Sequence, residues 1–209
     1  MSSFPIIVQL ENRNAVVVGG GKVASRKVKH LIGAGANVVV ISPNINETMK
    51  TYVANHQVVW KEKTFDPSDV DNAFVVIAAT DNETVNKAVA DATNCHTLLN
   101  VVDQPHLGNF TVPSILRRGK LSISVSTDGA SPHLAKKIRD ELTNQYDETY
   151  SHYLDFLYEC RHIIKNNVKN PREKQELLLE IIDPVYFSSL EMRDKILSKL
   201  KAINRRVKF

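Results

Sequence analysis

Six consecutive residues, Gly19-Gly20-Gly21-Lys22-Val23-Ala24, have the types and the spacing to hold a phosphate. They form a G-x-G-x-x-A pattern between an apolar run, "AVVV", and a helical stretch. Gly19 permits a tight turn, Gly21 lets the backbone approach a pyrophosphate, and Ala24 is small enough for helix and strand to pack closely. The start of the helix then presents free N–H groups to the anion. Gly21-Lys22 is followed by Val23, so the G-K-[ST] of a P-loop is missing, and a dinucleotide is the expected ligand. A glycine turn of purely structural use is the competing reading.

The acid that usually holds the adenosine ribose is expected about twenty residues further on, at the end of the second strand. That position reads Ile41-Ser42-Pro43-Asn44. The Ser42 hydroxyl and the Asn44 amide can bond a ribose, and no arginine stands there to receive a 2′-phosphate, which favours NAD over NADP. A later strand runs out into "AATDNETVN", so Thr80 and Asp81 emerge at the carboxyl edge of the sheet, where ligands bind in folds of this kind. Asp81 or Asn82 serves equally well as the cap of the helix that begins there.

These residues need a scaffold, and the apolar pattern supplies one. Short Val/Ile-rich runs, "AVVV", "NVVVI", "QVVW", "AFVVIAAT" and "TLLNVV", alternate with helical stretches over about 23–32, 46–54 and 82–93. Runs without polar alternation suit parallel strands covered on both faces, which predicts an α/β fold with a Rossmann-like, doubly wound parallel sheet over 1–112. The pattern then changes. "KLSISVST" alternates with period two, Gly129 makes a turn, Ser131 can cap a helix and Pro132 fits its first position. Leu134, Ile138 and Leu142 share one face of that helix. Residues 113–145 are expected to form a small α+β segment, and 146–209 a domain of three short amphipathic helices broken by Asn170-Pro171 and Asp183-Pro184.

Composition limits the rest. The 209-residue chain carries a net charge of +4, with basic residues gathered in "LRRGK", "LAKKIRDEL" and the tail "NRRVKF". The tail reads as a solvated face or a frayed end. Without an aromatic platform or a reader motif, no nucleic-acid partner is expected, and a polyanionic small molecule suits "RRGK" and "AKK" better. The start, "MSSFPIIVQL", has no basic n-region, and no run approaches the roughly 18 apolar residues of a membrane span. Cys95 and Cys160 lie far apart without a C-x-x-C, which argues against a disulfide framework or a zinc ribbon. A soluble cytoplasmic protein with no membrane partner is expected. The seven histidines are scattered, and no metal site is expected.

Three stretches, "FPIIVQLENRNAVVVGGGKVASRKVKHLIGAGANVVVISP", "AATDNETVN" and "LLNVVDQPHLGNFTVPSILRRGKLSISVSTDGASPHLAKKIRDEL", occur in order over about 4–142. Together they resemble the siroheme-synthase family in its precorrin-2 dehydrogenase part. The resemblance implies NAD-dependent oxidation of the tetrapyrrole precorrin-2 to sirohydrochlorin. It also implies a homodimer, with the segment from about 113 to 145 exchanged between subunits. The family's essential aspartate matches Asp103, as base or substrate-orienting group, although an Asp before Gln-Pro also suits a plain turn. Arg117, Arg118, Lys136 and Lys137 become candidates for the substrate carboxylates, with His106 and Ser124 beside them. Thr127 stands where some members have a serine, and it keeps the hydroxyl. Two further readings stay open: an added ferrous-iron insertion activity, and a nucleotide-sensing module without chemistry.

Overall fold

The computed structural model describes residues 3–205, and the end of the basic tail, residues 206–209, lies outside the described residues. The chain divides into two compact units, residues 1–112 and 113–209.

The first unit is built on five parallel strands: β1 (Asn14–Val18), β2 (Asn37–Ile41), β3 (Val58–Lys61), β4 (Val75–Ala78) and β5 (Leu98–Val101), in the order β3-β2-β1-β4-β5. Helices α1 (Lys22–Ile32), α2 (Glu47–Ala54) and α3 (Glu83–Ala92) connect them. Alternation along each strand splits the valines between two cores. Ala15, Val17, Val38, Val40, Val75 and Ile77 pack against Ala24, Val28 and Leu31 of α1 and Met49 of α2. Val16, Val18, Ile41, Val76, Ala78, Leu99 and Val101 face the other way, against Val89 of α3 and Val70. Both faces are covered, so the strands tolerate no polar alternation, and this is why they read as continuous apolar runs. The order reverses at β1 and β4, which opens a crevice at their carboxyl ends.

Asn109 fastens β5 from outside the ladder. Its side chain accepts the Leu99 N–H (2.8 Å) and donates to the Thr97 carbonyl (2.8 Å). Asn100 Nδ2 donates to the Phe110 carbonyl (3.1 Å), leaving the buried Asn100 Oδ1 without a partner.

The second unit opens with an antiparallel hairpin, β6 (Ser114–Arg118) and β7 (Leu121–Val125). Only β7 is expected from the sequence, because Pro113 and the pair Arg117-Arg118 hide the alternation of β6. Helix α4 (Pro132–Gln145) is capped by the Ser131 hydroxyl, which accepts the Leu134 N–H, and Pro132 occupies the first turn. Four helices follow: α5 (Thr149–Asn167), α6 (Pro171–Glu180), α7 (Pro184–Ser188) and α8 (Leu190–Arg205). The expected three short helices thus become four, with α5 running 19 residues and the five-residue α7 seeded by Asp183-Pro184. No helix among the described residues is long and apolar enough to cross a membrane.

The helical core gathers Tyr153, Phe156, Cys160 and Ile164 of α5 with Leu177, Tyr186, Ile196 and Leu200. Burial pushes the Cys160 thiol up to about 11, which makes it an inert filler rather than a nucleophile. One cation is buried here. Arg193 donates from Nε to the Tyr186 carbonyl and from Nη2 to the Phe187 carbonyl (2.7 Å), while its guanidinium lies 5.3 Å from the Tyr153 ring and 5.6 Å from that of Phe156. The two carbonyls close α7, so one side chain ties α7 to α8. Arg193→Met leaves both carbonyls without that donor and is expected to lower stability by about 2–4 kcal/mol in denaturant unfolding, through lost charged hydrogen bonds and ring contact. A loss below about 1 kcal/mol, the range of an ordinary surface change, would contradict this account.

Candidate active site

At the carboxyl edge of the sheet lies a cleft of about 640 Å³, lined at its centre by Val18, Gly19, Gly20, Gly21, Lys22 and Val23. The three glycines do different work. Gly19 has φ +125°, and a Cβ on it would lie 2.4 Å from the Ala79 carbonyl oxygen of the neighbouring strand end. A Cβ on Gly20 would lie 1.9 Å from the Asn44 oxygen, and the Gly20 carbonyl accepts the Asn46 N–H (2.9 Å). These two are glycine because other backbone occupies the space. At Gly21 the space is open, with no atom within 4 Å of where a Cβ would stand, so a side chain there would meet only a ligand.

Helix α1 begins at this turn with no side-chain cap and no acidic residue in its first turn. Asn46 caps α2, Asn82 caps α3 and both of those helices carry a Glu in the first turn. The unsatisfied N–H groups of α1 and the adjacent Lys22 form an anion site, and its chemistry fits the pyrophosphate of a dinucleotide.

One end of the cleft is lined by Ile41, Ser42, Pro43 and Asn44, with Thr64 and Phe65, which the sequence did not single out. Ser42 is buried, and its Oγ donates to the Asn44 carbonyl (2.7 Å) while Trp60 Nε1 donates to the Ser42 carbonyl (2.9 Å). The hydroxyl proton is therefore committed, and the Ser42 oxygen is left as an acceptor for a ribose hydroxyl. Lys61, the ladder partner of Ile41, sends its ammonium to Asp69 (3.4 Å), which Lys63 also holds (2.8 Å). Burial pushes the Asp69 carboxyl up, but hydrogen bonds from Lys63 and the Asp66 N–H, with the lysine charge, hold it below the usual carboxylate range.

The opposite wall is formed by Ala79, Thr80, Asp81, Asn82 and Val85, and then Val102 and Asp103. Asn82 is the cap of α3, accepting from Thr84 and Val85 N–H, and Asp81 stands exposed beside it. Val102 donates to the Ala78 carbonyl (3.0 Å), extending the β4–β5 ladder by one residue, so Asp103 is the first residue to leave it. The cleft thus brings together Gly19, Gly21, Lys22, Val23, Ser42, Pro43, Asn44, Thr80, Asp81 and Asp103.

The remaining candidates lie elsewhere. His106 is exposed on a 3₁₀ turn, Pro105–Leu107, just after Asp103. Arg117 and Ser124 are exposed on the hairpin, on the face opposite Leu116 and Ile123. Arg118 is engaged within its own unit: Nε donates to the Tyr146 carbonyl (3.0 Å) and Nη1 lies 3.3 Å from Glu148. Lys136 and Lys137 are exposed on α4, and Lys137 lies 4.0 Å from Glu141. Among the described residues no group of three His, Cys, Asp or Glu side chains could hold a metal ion.

Asn86, which holds Thr80 in the cleft wall, and Asn100 in β5 are buried amides that the sequence did not single out. The available signal was an amide inside an apolar stretch, "TVNKAV" and "LLNVV", since a buried amide must find partners.

Three family models match successive stretches of the chain. An NAD(P)-binding family model matches residues 6–114, the model for the central part of sirohaem biosynthesis proteins matches 118–145, and the SirC C-terminal domain model matches 150–196. The chain is 36% identical to a precorrin-2 dehydrogenase of Priestia megaterium over 95% of its own length and 98% of that protein. It is 35% identical to a precorrin-2 dehydrogenase of Bacillus subtilis (strain 168), over 76% and 98% respectively. A solved structure described as SirC, precorrin-2 dehydrogenase, superposes with a TM-score of 0.85 at 36% identity, covering 96% of this chain and all of that one. With the same fold, the same succession of segments and this identity along nearly the whole of both chains, the protein belongs to the precorrin-2 dehydrogenase family.

Proposed function

We propose that the chain removes two hydrogens from precorrin-2 to give sirohydrochlorin, the dehydrogenation step of siroheme synthesis, with NAD as cofactor. The observation that carries this reading is a single cleft with an uncapped helix start behind bare glycine at its centre and Asp103 on its rim. The N–H groups of α1 and Lys22 hold the pyrophosphate, and Ser42 and Asn44 accept from the adenosine ribose. Bound NAD supplies the hydride acceptor. The Asp103 carboxylate takes the accompanying proton or orients the macrocycle so that the reacting C–H faces the cofactor. Arg117, Lys136 and Lys137, with His106 and Ser124, are offered to the substrate's carboxylates, while Arg118 shapes the hairpin that carries Arg117. Neither iron insertion nor a nucleotide-sensing role without chemistry is favoured by these features.

The proposal includes a homodimer formed through residues 113–145. A two-stranded sheet is marginal alone and leaves both edges unpaired. Leu134 on α4 is 48% exposed, with Ile138 and Leu142 of the same face only half-buried. Both cysteines are free, Cys95 at the surface, which suits the reducing cytoplasm where the proposal places the enzyme.

Three outcomes test this reading. Gly21→Asp puts bulk and negative charge where only the ligand would sit, so calorimetry should show NAD binding lost and the melting temperature nearly unchanged, with NADP weaker than NAD on the parent protein; unaltered NAD affinity removes the nucleotide from this loop. Asp103→Ala should lower turnover of precorrin-2 by on the order of a hundredfold or more while NAD affinity barely moves. A folded, NAD-binding Asp103→Ala variant with normal turnover makes Asp103 a turn residue. Sedimentation at micromolar protein should show a dimer, and a fully active monomer would sink that part of the proposal.

A further inference from the structure

Strand β4 leaves its ladder at Ala79, whose N–H goes to the Val18 carbonyl (2.9 Å). The next residue, Thr80, lies in the cleft wall, and its main chain is taken up by one side chain from the second turn of α3. Asn86 Oδ1 accepts the Thr80 N–H (3.2 Å) and the Thr80 hydroxyl (2.7 Å), and Asn86 Nδ2 donates to the Thr80 carbonyl (3.1 Å). Asn86 is 0% exposed and sits one turn from the buried Val89. The Thr80 oxygen also receives the Asn82 N–H (3.1 Å), so this hydroxyl is occupied on both its donor and acceptor sides. Thr80 therefore lines the cleft without a free hydroxyl proton to offer a cofactor.

Two peptide units are fixed by this arrangement, Ala79–Thr80 through the N–H and Thr80–Asp81 through the carbonyl. The first of them carries the Ala79 oxygen against which Gly19 packs, 2.4 Å from where a Cβ would be. A shift of that peptide would move the floor under the phosphate turn. An apolar side chain would fill the same space between α3 and the sheet without the cost of burying an amide, so packing alone does not call for asparagine.

We propose that Asn86 is a positioning residue for the cofactor: its amide locks the Thr80 main chain and thereby sets the glycine turn at the geometry that binds NAD. The inference rests on the NAD reading above. Asn86→Asp keeps the shape but, as a carboxylate, has no hydrogen to give the Thr80 carbonyl; once protonated, its O–H stands in for the lost N–H. Burial and the facing Thr80 carbonyl favour the protonated form, while the Thr80 N–H and hydroxyl favour the carboxylate, so the two ends of the pH range read the two forms against each other. Other charged groups lie nearby: Asp81, Glu83, Lys87 and Asp91 on or beside α3, and Asp66, Asp69 and Asp71 at the 3₁₀ turn Pro67–Val70 packed against it. The parent protein measured over the same range removes their contribution.

The experiment is NAD affinity by calorimetry on the full chain, with thermal unfolding alongside. Relative to the parent, Asn86→Asp should bind NAD about tenfold more weakly near pH 8 and recover to within about threefold near pH 5.5, as the donor returns. A folded variant whose affinity equals the parent's at both pH values, whatever its melting temperature, overturns the proposal and leaves Asn86 a packing residue. If the variant fails to fold near pH 8, Asn86→Leu decides: it fills the same space and deletes all three bonds to Thr80, and NAD affinity should fall about tenfold at either pH. Unchanged affinity in a folded Asn86→Leu variant overturns the proposal as well. A parent that binds no NAD at all overturns the cofactor reading itself, which separates the two failures.

Discussion

The first unit depends on a close approach of backbones at the carboxyl edge of its sheet. The ends of β1, β2 and β4 converge so tightly that a Cβ on Gly19 or Gly20 would fall inside the van der Waals contact of a carbonyl oxygen. Hydrogen bonds then hold the convergence: Gly19 N–H to Ile41, Asn46 N–H to Gly20, Ala79 N–H to Val18. Because the loops are sealed to one another beneath it, Gly21 can stand open above them. The anion site is therefore a surface left bare by packing, and the absence of a cap on α1 is its electrostatic counterpart.

Much of this was legible in the sequence, for a physical reason. A strand buried on both faces cannot carry polar residues, so "AVVV", "NVVVI" and "FVVIAA" announce themselves, and glycines forced by backbone contact leave an unmistakable cluster. The cleft-lining residues from Gly19 to Asp103 follow from knowing which end of each strand is the carboxyl end. What stayed hidden has a common cause as well. β6 ends in Arg117-Arg118 and begins after a proline, and a strand in a half-exposed hairpin needs little apolar signal. Thr64 and Phe65 reach the cleft from the connection after β3, where local sequence says nothing about direction. Asn86 and Asn100 are amides whose partners are set by tertiary placement; in the sequence they look like ordinary polar interruptions.

The second unit is organised on another basis. Its helical core is rich in aromatic rings, and Tyr150, Tyr153 and Phe156 of α5 meet Tyr186 and Phe187 of α7 at ring separations of 4.8–6.0 Å. A five-residue helix has no stability of its own. Rings on one side and the Arg193 guanidinium on the other give α7 the contacts that its length denies it, with the cation serving both the ring faces and the helix-end carbonyls.

Asn109 has a consequence beyond holding β5. An open parallel sheet ends in two strands whose outer N–H and C=O groups can recruit a strand from another molecule, the first step toward aggregation. On one side, the Asn109 side chain and the main-chain N–H groups of Asn109 and Phe110 occupy the outward groups of Thr97 and Leu99, so no further strand can add there. On the other side β3 is only four residues long and runs into Lys61 and Lys63, whose charges oppose stacking by a like edge. The sheet stops at five strands because each border is closed by its own means.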